Sequence, residues 1–293
     1  LADEDFLMGG RLNTESLKIN GMSGSKWAKD TVAALSAMEN VTLMSDTTIF
    51  GVYDHGIYGA IENRASEARE DKNKPRQVNW RIYAKRSILC AGAIERSIAF
   101  GNNDRPGIML ASAVRSYANR FAVATGDKVS VYTNNDDGWN TARDLVLKNI
   151  RVVAVIDSRS IKPVLRVPGA EIFMGTNVVD TKGRKAIKSI KLSNGKSIDT
   201  DCLAVSGGWN PNLHLTCHHR GIPKWNEEIA SFIPDESNPP GMSVAGRAKG
   251  TMVLSDAIIE GHNEGSSVAS DLGYNVKELD PAETQTVSYS VTA

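Results

Sequence analysis

Two adjacent carboxylates, Asp3 and Glu4, stand near the start of the 293-residue sequence in LADEDFLMGGRL, which reads as the last residues of a strand, an acidic pair and a Gly-Gly. At the end of a parallel strand, about 20 residues after a glycine-rich phosphate turn, a carboxylate accepts hydrogen bonds from the hydroxyls of an adenosine ribose. Asp3 and Glu4 suit that role, with Gly10 and Arg11 just beyond them. The strand TTIF is placed to pass its backbone, near Ile49, by the adenine. SILCAGAIERSIAF runs an apolar stretch into Ala91-Gly92-Ala93, where Gly92 lets the backbone come close against a cofactor. VAGRAKGTMVLSDAI sets Gly246 at a strand end with Arg247 beside it, and Gly250 before Thr251, an expected N-cap. The amides from Met252 to Leu254 are then free to face an anion such as a diphosphate.

A further stretch, VSVYTNNDDGWNTARDLV at residues 129 to 146, reads as strand, tight polar turn and amphipathic helix, the layout of a dinucleotide-binding unit. Its turn holds Thr133, Asn134, Asn135, Asp136 and Asp137 with Gly138 alone, so two carboxylates stand where a diphosphate would sit and would repel it. Asn134 and Asn135 read as turn formers tolerant of unusual backbone angles and as helix caps. Other reactive groups lack a working arrangement. His214, Cys217, His218 and His219 crowd one short stretch, but Cys-His-His in direct succession suits one tetrahedral ion poorly, so no metal is expected. There is no C-x-x-C pair and no G-x-S-x-G elbow, and no catalytic residue is assigned. RDLVLKNIR and the basic residues from Lys182 to Lys188 read as solvated faces.

The elements that would position these groups alternate between strand and helix. Residues 25–38 carry helical spacing, and VTLMSDTTIFGVYD reads as two short strands. A charged linker is expected around residues 62 to 76, followed by strand, turn and the buried strand of SILCAGA. Strand 128–133, helix 138–148 and the strand ending on Asp157 form a βαβ unit. An antiparallel excursion over residues 171–212 follows, turning at Asn194-Gly195 and ending in the buried strand CLAVSGG; a long helix rich in Ala and Ser closes the pattern. The expected fold is α/β, of the two-dinucleotide-binding-domain flavoprotein type (FAD/NAD(P)-binding, Rossmann-type), truncated at the N-terminus. The expected division is 1–110, a first dinucleotide domain; 111–210, a second, degenerate one; 211–275, a return to the first with its final helix; and 276–293, a linker.

Composition narrows the class. With 41% hydrophobic and 23% charged residues, and 34 Lys and Arg against 34 Asp and Glu, the chain is an ordinary globular one with no electrostatic reason to bind nucleic acid. No run approaches the roughly 18 apolar residues of a membrane span and no signal peptide is visible. Cys90, Cys202 and Cys217 have no framework spacing, and Cys90 and Cys202 lie in apolar runs, as expected of reduced thiols in a cytoplasmic protein.

Taken together, ADEDFLMGGRLN, DTTIFGVYDH, LCAGAIERSIAFGNNDRPGIMLASAVRSYANRF, YTNNDD and LAVSGGWNPNLHL resemble the middle of the α subunit of heterotetrameric sarcosine oxidase, along nearly the whole chain. GNNDRPGIMLASAVRSY and AVSGGWNP are the most specific of these stretches. The resemblance implies NAD held as a non-redox cofactor by the first domain, FAD on the β subunit, FMN at the α–β interface, and β, γ and δ partner subunits. It also implies oxidative demethylation of sarcosine to glycine with O2, acting on a CH–NH donor and giving H2O2 and a one-carbon unit for tetrahydrofolate. The upstream glycine turn and the C-terminal folate-binding domain of that family have no counterpart in these residues, so this chain alone is expected to be inactive. Two other readings stay open: a non-catalytic scaffold module of an amine or imino-acid dehydrogenase complex, and a pyridine-nucleotide-dependent flavin oxidoreductase.

Overall fold

The computed structural model describes residues 1–160, 166–235, 237–277, 280–284 and 289–292. At its start Ala2 bridges Met44 in parallel, the Asp3 amide donates to the Met44 carbonyl at 2.9 Å and the Thr47 amide to that of Asp3 at 2.9 Å, so the acidic pair does follow strand-like backbone. A hairpin of β1 (Lys18–Ile19) and β2 (Met22–Ser23) enters α1 (Gly24–Ser36), capped by Ser23, whose hydroxyl accepts from the Lys26 amide. An antiparallel sheet then joins β3 (Thr47–Tyr53), β4 (Ile57–Asn63) and β5 (Gln77–Tyr83), with α2 (Ala65–Glu70) between the last two. The expected linker at 62–76 is thus partly strand and partly helix. IYGAIEN hid its strand because Gly59, which lies under the ring of Phe50, breaks the run of β-formers.

Next come β6 (Ser87–Leu89), β7 (Ala93–Glu95), β8 (Ile108–Leu110), α3 (Ala111–Arg120), β9 (Val129–Thr133), α4 (Asp136–Leu147) and β10 (Val152–Asp157). The strand expected to be buried in SILCAGA is only half-buried, and Cys90 is exposed, because β6 pairs on one edge alone among the described residues. Beyond β10 lie β11 (Glu171–Met174), β12 (Val178–Lys182), β13 (Ser189–Leu192), β14 (Ser197–Asp199) and β15 (Cys202–Ser206). β11 corrects the sequence reading: it pairs parallel to β10, and only β12, β13 and β14 form the antiparallel excursion. The chain closes with β16 (Trp209–Pro211), β17 (Lys224–Asn226), β18 (Ser231–Ile233), β19 (Met242–Val244) and α5 (Leu254–Asp271).

The best-buried part is a parallel sheet in the order β11-β10-β9-β15-β8. Its side chains alternate between two layers, as a strand period of two requires. Val129, Val131 and Val155 pack under Val114 of α3 and Trp139, Ala142 and Leu145 of α4. Tyr132, Ile156, Leu203 and Val205 face Ile190, Leu192 and Ile198 of the antiparallel layer. The C-terminal ends of β9, β10 and β15 therefore meet the N-terminus of α4, where an open α/β sheet places a ligand crevice.

Candidate functional site

Around the acidic pair the structure separates two carboxylates that the sequence left equivalent. Asp3 accepts the Asp5 amide at 3.0 Å, whereas Glu4 is exposed. A third acid, Asp5, is held by both ends of the Arg120 guanidinium at 2.6 and 2.7 Å, and that pairing keeps its carboxyl below the usual range. Gly10 (φ +53°) and Gly92 (φ +69°) are left-handed, and a Cβ at either would meet nothing within 4 Å. Gly246 (φ +67°) would meet only the Ala257 Cβ, at 3.8 Å, and its amide donates to Glu260 at 2.7 Å. Ile49 packs with Val52, Tyr58 and Met242 in a separate cluster.

Arg11, Arg247 and Met252 converge on Trp209, a residue the sequence reading passed over. The Arg11 guanidinium lies 4.0 Å and that of Arg247 5.0 Å from the ring centroid, while Met252 packs beside it. Both arginines turn toward Asp137 at the start of α4: Arg11 donates at 2.8 Å and Arg247 stands 3.9 Å away. Arg115 reaches the same carboxylate at 3.3 Å and donates to fully buried Asp144 at 2.5 Å. Glu15 pairs with Arg11, and Ser16 and Asn119 hydrogen-bond Asp144. Burial opposes ionisation of Asp137, but Arg11, Arg247 and Arg115 outweigh it and hold the carboxyl well below its usual range. Burial and the neighbouring Arg11 charge bring Arg247 down to about 10, still protonated at neutral pH. Arg11 Nη1, Arg247 Nη1 and Trp209 Nε1 find no acceptor among the described residues and are shut off from solvent. The cluster is a packed ion network.

This network corrects the reading of RDLVLKNIR as a solvated face, since Asp144 is inside it. Its signal was in the sequence: Ala111, Val114, Arg115 and Ala118 form the buried stripe of α3, so Arg115 is a charge on an apolar face. Nearby, Glu95 is buried, accepting the Ser112 amide at 2.7 Å and the Ser206 hydroxyl at 2.6 Å. Burial pushes its carboxyl up despite these bonds.

The glycine-poor turn is filled by its own side chains. Asn135 caps α4, its side chain accepting the Asp137 amide at 2.9 Å, with ordinary extended backbone, so the cap is observed and the unusual angles are not. A Cβ on Gly138 would stand 2.4 Å from the Thr133 side chain, so this glycine serves helix–strand contact. At the end of β10, Asp157 accepts from Trp139 Nε1 at 2.7 Å and from Arg159 at 2.8 Å, leaving its carboxylate engaged. At the other candidate helix the expected cap fails: α5 begins at Leu254 after Val253 with no side-chain cap, because the Thr251 amide is drawn back to the Gly246 carbonyl in a tight turn. The histidines hold no metal cluster among the described residues; His218 Nδ1 instead accepts the Val52 amide at 3.1 Å.

No family model matches the chain. It is 38% identical over 277 residues to the sarcosine oxidase subunit alpha of Rhizobium meliloti and 33% identical over 292 residues to that of a Corynebacterium species, matches that take in 93% and 94% of this chain. The chain is a relative of the sarcosine oxidase alpha subunit. It spans 28% and 30% of the length of these two relatives. Among solved structures, L-proline dehydrogenase from P. horikoshii superposes with a TM-score of 0.74 at 21% identity, over 94% of this chain and 51% of that one. T. acidophilum thioredoxin reductase follows at 0.67 and 16%, over 93% and 90%. The fold is that of these oxidoreductases, an α/β dinucleotide-binding, Rossmann-type fold. Among the described residues no helix is long and apolar enough to cross a membrane.

Proposed function

We propose that this chain is the dinucleotide-binding portion of an alpha subunit in a sarcosine oxidase-like complex, holding NAD along the surface of Glu4, Gly10, Gly92 and Gly246 and helping partner subunits form a flavin interface. The observation that carries the placement is an exposed carboxylate after a parallel bridge together with glycines whose backbone is open. Glu4 lies two residues after a parallel bridge and is exposed, which is the chain position that a ribose-accepting carboxylate takes in a dinucleotide fold. At Gly10, Gly92 and Gly246 a ligand can approach bare backbone, and the uncapped first amides of α5 are donors for an anion. The fit is partial: no G-x-G-x-x-G occurs in the 293 residues, so these groups would hold the ribose and the far side of a diphosphate but do not form its glycine turn. In this reading NAD is a structural cofactor, and FMN at the subunit interface and FAD on a partner supply the oxidation of a CH–NH donor such as sarcosine by O2. The one-carbon product passing to tetrahydrofolate, and β, γ and δ partners, belong to the same proposal, which rests on likeness to the sarcosine oxidase alpha subunits.

The test is cofactor content. Mass spectrometry of the denatured full-length protein is expected to find NAD, and Glu4→Ala to weaken its retention by roughly 1–3 kcal/mol, the cost of losing hydrogen bonds to a charged group. Undiminished NAD in the Glu4→Ala protein would remove the placement. Asp3 is the poorer target, since its carboxylate also holds the Asp5 amide.

A further inference from the structure

The second crevice, at the N-terminus of α4, already has an occupant. Residues 289–292 lie across it. The Ser290 amide donates to the Asp136 carboxylate at 2.8 Å and its hydroxyl to the same oxygen at 3.0 Å. In return the Ser290 carbonyl accepts the Asp136 amide at 3.2 Å and Arg159 Nη1 at 3.0 Å. Arg159 also donates to the Ser290 hydroxyl at 2.8 Å and pairs with Asp136 at 2.9 Å. One residue on, Val291 bridges Asn135 antiparallel and packs near Gly208. Thr292 and Asn134 exchange bonds, amide to carbonyl at 3.1 Å and side-chain amide to carbonyl at 2.7 Å. Tyr289 joins the Trp209, Ile229 and Met252 cluster. A second anchor lies upstream, where Thr284 bridges Ile19 and Asn20 and Glu283 bond reciprocally.

We propose that the mouth of this second crevice is a docking site for the chain's own segment 289–292, which takes the place that a dinucleotide takes in a working unit of this layout. Each group such a nucleotide would use is claimed. The first amide of α4 goes to Ser290, and the Asp137 amide to Asn135. The carboxylate after β10, suited to a ribose, is held by Arg159 and Trp139. Asp136 is paired with Arg159, and Asp137 with Arg11, Arg115 and Arg247, so these cations are already engaged with carboxylates, while Asp136 still accepts the N–H and O–H donors of an extended peptide. The site reads a serine: one residue supplies an amide, a hydroxyl and a carbonyl to one carboxylate, one amide and one guanidinium. The partner is therefore an extended backbone with a small hydroxyl side chain, added by strand pairing.

Hydrogen–deuterium exchange on the full chain tests this directly. Within 134–138 the Asp136 amide, which donates to Ser290, is expected to be protected, and Ser290→Pro, which removes the donated N–H and loosens the segment, to speed its exchange about tenfold or more while β9, β10 and β15 stay slow. As a second measurement, Asn134→Cys with Thr292→Cys, in a chain carrying Cys90→Ser and Cys217→Ser, is expected to cross-link under mild oxidation. Equal exchange of 134–138 in both proteins, or a cysteine pair that stays reduced, would overturn the docking. Millimolar NAD is expected to leave 134–138 unchanged; added protection there, or release of the segment, would show a nucleotide site and sink the proposal whatever happens at Glu4.

Discussion

Among the described residues Asp137 is the one carboxylate that three guanidinium groups share, and the geometry sets the cost of losing it. Replacing it by Asn keeps the shape and deletes the charge, leaving Arg11, Arg115 and Arg247 with too little counter-charge. Breaking a buried pair by removing one partner costs about 3–5 kcal/mol, and urea unfolding of Asp137→Asn at neutral pH should show a loss of that order. The pH dependence has a definite sign. The folded carboxyl lies below its unfolded value, so its contribution is present above about pH 4 and is lost as pH falls through the acid range. Asp137→Asn should therefore flatten the acid limb of the stability curve. Glu95 runs the other way. Its folded carboxyl is raised by burial, so its contribution is full at acid pH and falls as pH rises. Glu95→Gln still offers an acceptor to the Ser112 amide, so it should equal or exceed the parent at pH 8 and lose that advantage near pH 4. At this scale the sequence told least. It exposed Asp136 and Asp137 as charges in the wrong place for a phosphate, but their partners lie up to 154 residues away, and pairing at that distance leaves no local pattern.

Among the elements, β9, α4, β10 and β15 were legible because each satisfies its own period and is covered on both sides. The failures have physical causes. β4 carries a glycine that packing excuses, and β11 is too short to declare its direction. α5 begins three residues beyond its apparent cap because a tight turn at Gly246–Ala248 claims the Thr251 amide. The turn from β9 to α4 shows how a dinucleotide layout survives without its glycines: Gly138, the one retained, is the one that lets helix and strand touch. Gly138→Ala would drive a methyl group to 2.4 Å from Thr133, and such overpacking costs roughly 1–3 kcal/mol. Thr133→Ala should not rescue it, because the Thr133 Cβ is itself among the atoms at 2.4 Å; denaturation midpoints of the single and double variants check this. A double variant restored to parental stability would mean that only the hydroxyl and methyl of Thr133 stand in the way.

Across the whole molecule, burial is uneven, and stability should follow it. All five residues of β9 and all five of β15 are buried, between a helical layer and an antiparallel layer. By contrast α5 has no buried residue in 18, and the pair of β6 with β19 is a two-stranded sheet. Two strands paired alone are marginal in water, and a helix draws most of its stability from a packed face. Native-state hydrogen exchange of the chain by itself should therefore find the slowest amides in β9, β10 and β15, opening only with global unfolding, and markedly faster exchange in β6, β19 and α5 through local opening. Gly92 and Gly246, two of the glycines of the proposed NAD surface, lie just beyond β6 and β19, so a ligand bound there adds its free energy next to the least stable part. In the full-length protein with NAD retained, protection of β6, β19 and α5 should rise toward that of the parallel sheet, while β9 and β15 change little. Uniform protection in the isolated chain would show that the uneven burial of side chains does not govern how this fold opens.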